Sequence, residues 1–210
     1  ATDVERLVAT TARALRGSHV VSGPYGPVDV ATPWPRMTVA DAFQRFAGVD
    51  LSTAHDAPSL RRQLLDAGSR SIDEKDDWES AFHKILVERV EPGLASTGRG
   101  VHLREYPEQL AALAQLEPRD PSVAQRFESF AGGLELANGF GELTDSRVQR
   151  RRFRHERLVR KTHGMPPLPV DEPFLRELGD MPPASGVALG LERLIMLVTS
   201  ADHIDDVVSF

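Results

Sequence analysis

Two carboxylates, an amide and an aromatic ring fall within eight consecutive positions of the sequence, at Glu135, Asn138, Phe140 and Glu142. Alternating residues on both sides of Gly132-Gly133 predict an antiparallel hairpin whose second strand carries Glu135 and Asn138, with Phe140 and Glu142 just after it. The two glutamates are seven positions apart, so an unbroken strand would point them to opposite faces of a sheet. We expect a kink at Asn138-Gly139 or at Gly141 to bring both carboxylates into one cavity.

Converging carboxylates are typical of a site for a hard cation. Mg²⁺ is bound in proteins by one or two carboxylates together with phosphate oxygens, so Glu135 and Glu142 are candidate magnesium ligands. The same carboxylates would suit the ammonium group of a substrate. Spacing alone is also compatible with an exposed hairpin edge that carries scattered acids.

A second segment, 186–193, is a glycine-rich strand that runs into a helix. Gly190 permits close approach of a planar or phosphate-bearing ligand. The helix that follows favours an anion at its N-terminus, and Arg193 in its first turn can add a charge-assisted hydrogen bond. Tight packing of strand against helix, with Arg193 in a surface ion pair, is the alternative interpretation.

Composition and charge exclude several classes of protein. The absence of cysteine excludes a disulfide scaffold, a zinc–cysteine site and thiol catalysis, and it fits a cytoplasmic location. No apolar run has the ~18 residues that a membrane span needs, and the first residues do not resemble a signal peptide. The net charge of −6 argues against a dedicated nucleic-acid binder. One helix is the exception, because 147–161 contains eight basic residues and one acid.

The elements needed to position these residues indicate an α+β fold. Helices are predicted over 3–16, 38–48, 59–66, 73–92, 145–163 and 192–199, and strands over 28–31, 101–106, 126–130, 134–138 and 185–189. We expect Thr38 and Asp145 to cap their helices, Pro92-Gly93 to end the fourth helix, and 165–173 to form a proline-rich loop. Helices that precede and interrupt an antiparallel sheet are typical of this class.

Two stretches together resemble the C-terminal half of a class II catalytic domain of the lysyl-tRNA-synthetase type. They are Glu135-Leu-Ala-Asn-Gly-Phe-Gly-Glu-Leu-Thr-Asp145 and Ser185-Gly-Val-Ala-Leu-Gly-Leu-Glu-Arg193, the latter similar to motif 3 of the class. Glu-Leu-Ala-Asn-Gly-Phe and Gly-Val-Ala-Leu-Gly are more similar to the branch of lysyltransferases that modify elongation factor P. Lysyl-tRNA synthetases read closer to Glu-Ile-Gly-Asn-Gly and Gly-Leu-Gly-Ile-Gly there. The likeness covers residues 1–210 as part of one domain.

The resemblance implies an antiparallel sheet flanked by helices and a reaction that uses ATP and Mg²⁺. A lysine-type amino acid would be activated as an adenylate and passed to a lysine of elongation factor P. Carried over position by position, the resemblance implies contacts to ATP from Glu135, Leu136, Gly190 and Arg193, with Glu135 acting through Mg²⁺ and Arg193 as the catalytic residue at the phosphates. It implies contacts to lysine or a lysine analogue from Asn138, Phe140 and Glu142.

Motifs 1 and 2 of this class have no counterpart in the sequence. We therefore expect either part of a longer, homodimeric protein, inactive as 210 isolated residues, or a non-catalytic binding paralogue. A lysyl-tRNA synthetase that charges tRNA is the alternative among enzymes.

Overall fold

The computed structural model describes residues 1–23 and 25–208, which form helices packed on a twisted sheet. The helices are α1 (Thr2–Arg16), α2 (Val39–Ala47), α3 (Ala57–Asp66), α4 (Trp78–Ile85), α5 (Glu91–Ala95), α6 (Ser146–Thr162), α7 (Glu172–Leu178) and α8 (Leu191–Thr199). The strands are β1 (Val20–Gly23), β2 (Gly26–Asp29), β3 (Arg36–Thr38), β4 (Val101–Pro107), β5 (Leu116–Glu117), β6 (Asp120–Ala131), β7 (Leu134–Gly141) and β8 (Ser185–Leu189). The predicted α+β class is confirmed.

The main sheet runs in the order β3-β4-β6-β7-β8, with β5 paired to β6. Only the β3–β4 pair is parallel among the described strands, so the sheet is dominated by antiparallel pairs. The predicted hairpin is confirmed: Gly132 and Gly133, at φ 60° and 80°, form the turn between β6 and β7. The small hairpin β1–β2 packs against this turn, where Gly23 and Gly132 approach too closely for a side chain.

Each face of the sheet is covered by its own group of helices. One face contributes Leu103 and Phe130 to a core shared with α2, α3, α4 and α5. The other face contributes Leu136 and Ala137 to a core shared with α1 and α8. The β7–β8 end of the first face extends beyond its helices, and the candidate site lies there.

The path of the fourth helix differs from the predicted one. Its acidic start is a turn, and α4 begins only at Trp78 with Asp77 as its N-cap. At the other end Pro92-Gly93 does not stop the chain, because a π-helical turn over Leu86–Val90 leads directly into α5. Gly93 serves packing instead, since a Cβ there would lie 2.4 Å from the ring of Phe46.

A buried cluster of polar side chains connects α1 with β4. Glu5, 3% exposed, accepts a hydrogen bond from the Trp34 backbone N–H at 2.6 Å. His102, 1% exposed, stacks on the Trp34 ring, shares a hydrogen bond between Nδ1 and Ser129 Oγ at 2.9 Å, and places Nε2 3.4 Å from Glu5 Oε2. Burial lowers the pKa of His102 to about 4, although the nearby Glu5 carboxylate opposes the shift. The buried face of α1 therefore includes Glu5, whereas the apolar side chains of Leu7 and Leu15 on the same helix are exposed.

Candidate active site

The register of β7 places Glu135, Asn138 and Phe140 on one face of the sheet. Phe130 pairs with Glu135, but Ser129 pairs with Ala137, so Leu136 is an extra residue in β7. This β-bulge resets the alternation, and Glu135 then faces the same way as Asn138 and Phe140. Glu135, Asn138 and Phe140 therefore share one face, and the kink that resets the alternation lies at Leu136 rather than at the predicted glycines.

Glu142 continues the same face beyond the end of β7. A Cβ on Gly186, which pairs with Phe140, would lie 2.5 Å from Glu142 Oε1. Glu135 and Glu142 are thus at opposite ends of the strand, roughly 20 Å apart at the usual rise per residue. One magnesium ion cannot contact both carboxylates, so the predicted Glu135–Glu142 metal pair is corrected.

The Glu135 end of the face contains the residues implied to contact the nucleotide. Arg193 Nη1 donates to the Glu135 carbonyl at 2.8 Å and lies 3.4 Å from its Oε2. The Gly190 N–H donates to the Leu136 carbonyl at 2.9 Å, which holds the N-terminus of α8 beside β7. The Leu136 side chain is 1% exposed and belongs to the opposite core, so a ligand could reach only its backbone.

Gly190 is not required by the protein's own packing. Its φ of −74° is accessible to any residue, and a Cβ there would lie 3.5 Å from the flexible Arg193 side chain. The absence of a side chain at this position therefore leaves surface open beside Arg193.

A buried carboxylate absent from the predicted site, Glu128, lies between the two ends. Glu128 is 6% exposed and accepts hydrogen bonds from the Tyr106 hydroxyl at 2.5 Å and from Arg126 Nη2 at 2.6 Å. The Asn138 amide nitrogen is 3.4 Å away on the paired strand. The Arg126 guanidinium stacks over Tyr106 at 4.5 Å and lies 5.7 Å from the Phe140 ring centroid.

The surroundings of these groups perturb their protonation. Burial raises the pKa of Glu128, and the charge of Glu135 raises it further, while Tyr106 and Arg126 oppose the shift. Burial next to Glu128 raises the pKa of Tyr106 well above its ordinary value. The pKa of Glu91, at the start of α5, is raised by burial and by the charges of Glu128 and Glu135. The charge of Glu135 therefore raises the pKa of two neighbouring carboxyl groups, Glu91 and Glu128.

Two buried polar atoms of this face have no partner among the described residues. They are Arg126 Nε, a donor, and Asn138 Oδ1, an acceptor. Unpaired buried polar groups are rare because each costs free energy, and they are expected where a ligand completes the hydrogen bonds. Asn138 pairs with Glu128 and lies two residues before Phe140 in β7. Its free acceptor would therefore suit a cationic or N–H-bearing group of a ligand.

The balance of charge on this face is negative. Glu91, Glu128, Glu135 and Glu142 are offset by Arg126 and Arg193. Within residues 1–23 and 25–208, no three His, Asp or Glu side chains are grouped so as to hold a metal ion. Glu128 and Glu135 are close enough for the charge of Glu135 to raise the pKa of Glu128. The pair would therefore fit a Mg²⁺ ion whose remaining ligands are phosphate oxygens.

Sequence reasoning missed Glu128, Tyr106, Arg126 and Glu91. The first three were assigned only to predicted strands, and their convergence depends on the pairing of β4 with β6. The short alternation Arg126-Phe-Glu-Ser-Phe, with an acid at an inward position, was the available signal. Asp171 and Glu172 are both exposed; the Asp171 side chain caps α7, and Glu172 pairs with Arg150.

No helix that the structure describes combines the length and apolar character needed to cross a bilayer. The family model for tRNA synthetases of class II (D, K and N) matches residues 2–210. The chain is 34% identical over 208 residues to the lysine–tRNA ligase of Moorella thermoacetica, covering 99% of this chain and 42% of that protein. It is 39% identical over 181 residues to the elongation factor P–(R)-β-lysine ligase of Erwinia tasmaniensis, covering 85% of this chain and 55% of the relative.

A second elongation factor P–(R)-β-lysine ligase, from Haemophilus influenzae, is 38% identical over 172 residues and covers 80% of this chain and 51% of its own length. The chain thus spans about half the length of the curated relatives it matches, or less. The relatives are named as ligases, and their similarity extends over the strands and helices that build the described face. The chain belongs to the class II tRNA synthetase family of the D, K and N type.

Proposed function

We propose that this face activates a lysine-type amino acid with ATP and passes the acyl group to a lysine side chain of elongation factor P. The unpaired Asn138 Oδ1 carries the proposal, because it lies on the same face as the Glu142 carboxylate and next to the Phe140 ring. An acceptor, a carboxylate and an aromatic ring suit an ammonium group on an aliphatic stem.

The elongated site suits an aminoacyl-adenylate lying along β7. The amino-acid end contains Asn138, Phe140 and Glu142, and the nucleotide end contains Glu135, Gly190 and Arg193. In the activation step a carboxylate oxygen of the amino acid attacks the α-phosphorus of ATP, and pyrophosphate leaves with the electrons of the broken P–O bond. Arg193 would orient and neutralise the phosphates, and Glu142 would hold the amino acid.

Glu128 has a supporting role in this proposal. Tyr106 and Arg126 fix its carboxylate, so it presents a preoriented charge beside Glu135. Mg²⁺ bound by Glu128 and Glu135 would supply further neutralisation of the phosphate charge.

The protein acceptor is supported by two observations. Identity is 38–39% to the relatives named as elongation factor P ligases and 32–34% to those named as lysine–tRNA ligases, although the latter match almost the whole chain. Ala188, one of five positions at which the resemblance separates these branches, pairs with Asn138 and faces the site. Lysine–tRNA ligase activity is the second candidate, supported by the 99% coverage.

Replacement of Glu142 tests the assignment of the amino-acid end. In the complete protein, Glu142→Gln should raise the KM for the amino acid in ATP–pyrophosphate exchange about 100-fold, which corresponds to about 2–3 kcal/mol for a hydrogen bond to a charged group. The KM for ATP should change little. Glu108→Gln, at an exposed position, is the matched control. Equal changes in both KM values would contradict the assignment.

The acceptor is tested separately. The complete protein, loaded with ¹⁴C-lysine or ¹⁴C-β-lysine, is offered elongation factor P and lysine tRNA in parallel. Label on the protein acceptor alone supports the proposal, and label on tRNA alone supports the second candidate. Failure to form any adenylate would indicate a non-catalytic paralogue.

A further inference from the structure

Helix α6 has more positive charge than its packing uses. Four of its cations are engaged by the protein itself: Arg147 by Asp145, Arg150 by Glu172, Arg152 by the carbonyls of Ala112 and Ala114, and Arg160 by the carbonyl of Pro166. The other four are Arg151, Arg154, Arg157 and Lys161, which we call the free cations. They are exposed and form no hydrogen bond or ion pair with the residues that the structure describes.

The free cations are concentrated on one side of α6. Arg151, Arg154 and Lys161 follow spacings of three and seven residues, so they share one stripe with Leu158, and Arg157 flanks it. The stripe extends for about 15 Å, at 1.5 Å per residue. Because four of the eight cations are engaged by the protein itself, the free cations give α6 a positive surface on one side only.

A groove lies along the stripe. The chain reverses at Gly164, with φ of 70°, and the Arg160 guanidinium holds the Pro166 carbonyl at 3.1 Å. The segment after α6 therefore runs back beside the helix. The resulting cavity of about 340 Å³ is lined by Arg154, Arg157, Leu158, Lys161 and Pro167. Leu158 is 64% exposed.

The stripe is not needed to hold the helix. Gln149 is the buried residue of α6, and Val148 and Val159 are only half-buried. The Arg152 hydrogen bonds, at 2.6 and 2.7 Å, and the contact between the Phe153 and Phe174 rings provide the remaining attachment. The exposed charges and Leu158 therefore have no part in this attachment.

We propose that the stripe and its groove dock an acidic protein that presents an exposed apolar side chain. The four positive charges would attract acidic residues, and the floor formed by Leu158 and Pro167 would take the apolar side chain. A nucleic-acid backbone would use the charges but gain little from this floor.

The position of α6 connects docking with the site. Its N-cap, Asp145, lies three residues after Glu142, and Arg152 attaches the helix to Ala114, which bridges to Glu142. A protein bound along α6 would therefore lie next to the amino-acid end of the site. Resting on the proposed function, we assign the docked protein as the acyl acceptor, elongation factor P.

Direct binding tests the surface independently of catalysis. The affinity of the complete protein for elongation factor P is measured by calorimetry at 50 and 300 mM salt, with lysine tRNA as a second titrant. A triple variant, Arg154→Gln, Arg157→Gln and Lys161→Gln, should bind elongation factor P about tenfold more weakly at low salt and show a flatter salt dependence. The matched control, Arg6→Gln, Arg16→Gln and Arg62→Gln, removes the same charge from exposed sites elsewhere and should bind normally.

Leu158→Gln distinguishes the two classes of partner. It should weaken binding of elongation factor P about fivefold and leave tRNA binding unchanged, with an unaltered melting temperature because the side chain is exposed. No binding of elongation factor P, equal losses in triple and control variants, or a loss confined to tRNA would each overturn the proposal. If binding depends on the stripe but no acyl transfer occurs, the docking surface stands and the proposed function fails.

Discussion

The buried cluster of His102, Glu5, Trp34 and Ser129 makes the stability of the fold depend on pH. The pKa of His102 is lowered from 6.5 to about 4 in the folded protein, chiefly by burial. In the unfolded chain the imidazole takes up a proton near pH 6.5, whereas the folded protein resists this until about pH 4. Protonation therefore favours the unfolded chain, and stability is lost as pH falls from 6.5 towards 4.

The size of this effect follows from the shift. Between pH 7.5 and pH 5 the linkage amounts to about 2 kcal/mol, rising to about 3 kcal/mol at pH 4. This is a substantial part of the 5–15 kcal/mol typical of a folded domain. Because Glu91 and Glu128 also have raised pKa values, and so act in the opposite direction, the contribution of His102 must be isolated by difference.

Urea unfolding of wild type and His102→Gln at pH 7.5 and 5 provides that difference. The variant should be less stable at pH 7.5 because the buried stack is disturbed, but its loss of stability on acidification should be about 2 kcal/mol smaller than in wild type. His155→Gln, which removes an exposed imidazole from α6, should behave as wild type. An unchanged pH dependence in His102→Gln would refute the reasoning.

Three further predictions concern the face of the sheet that carries the candidate active site. Gly190→Ala should leave the unfolding free energy nearly unchanged, because the flexible Arg193 side chain tolerates the added methyl group. The KM for ATP in pyrophosphate exchange should rise at least tenfold, because the methyl group would occupy the proposed nucleotide surface. A rise in KM accompanied by a large loss of unfolding free energy would indicate a packing role for Gly190 instead. Tyr106→Phe should destabilise the fold by about 1–3 kcal/mol, because the buried Glu128 carboxylate loses a hydrogen-bond donor. The same change should make Glu128 easier to protonate and so shift the acidic limb of the pyrophosphate-exchange rate to higher pH. A pH profile identical to that of wild type would show that Glu128 does not take part in the chemistry. Ala188→Gly should enlarge the space beside Asn138 and so alter the ratio of kcat/KM values for lysine and β-lysine, measured side by side. An unchanged ratio would show that Ala188 does not line the substrate pocket.

Local signals predicted much of the fold correctly. The hairpin over β6 and β7 follows from Gly132-Gly133, whose positive φ angles form its turn, and from the alternation around it. Thr38 and Asp145 cap their helices as predicted, by accepting hydrogen bonds from backbone N–H groups in the first turn.

The errors arose where tertiary contacts override local preference. The bulge at Leu136 depends on the pairing of β7 with β6, and no residue type at that position indicates it. The helical path through Pro92 depends on the π-turn before it. The inward position of Glu5 on α1 reflects hydrogen bonding to Trp34 and the proximity of His102. The Glu128 cluster was missed for the same reason, because its partners Tyr106 and Asn138 come from the neighbouring strands β4 and β7.

The β7 bulge also constrains how the strand can change in evolution. Glu135 is in phase with Asn138 and Phe140 only because one residue, Leu136, is left over in the pairing. Loss of a single codon here would rotate Glu135 towards the α1–α8 core while leaving Asn138, Phe140 and Glu142 in place. Substitutions in β7 can therefore accumulate one at a time, but a length change cannot be accommodated without dismantling half of the site.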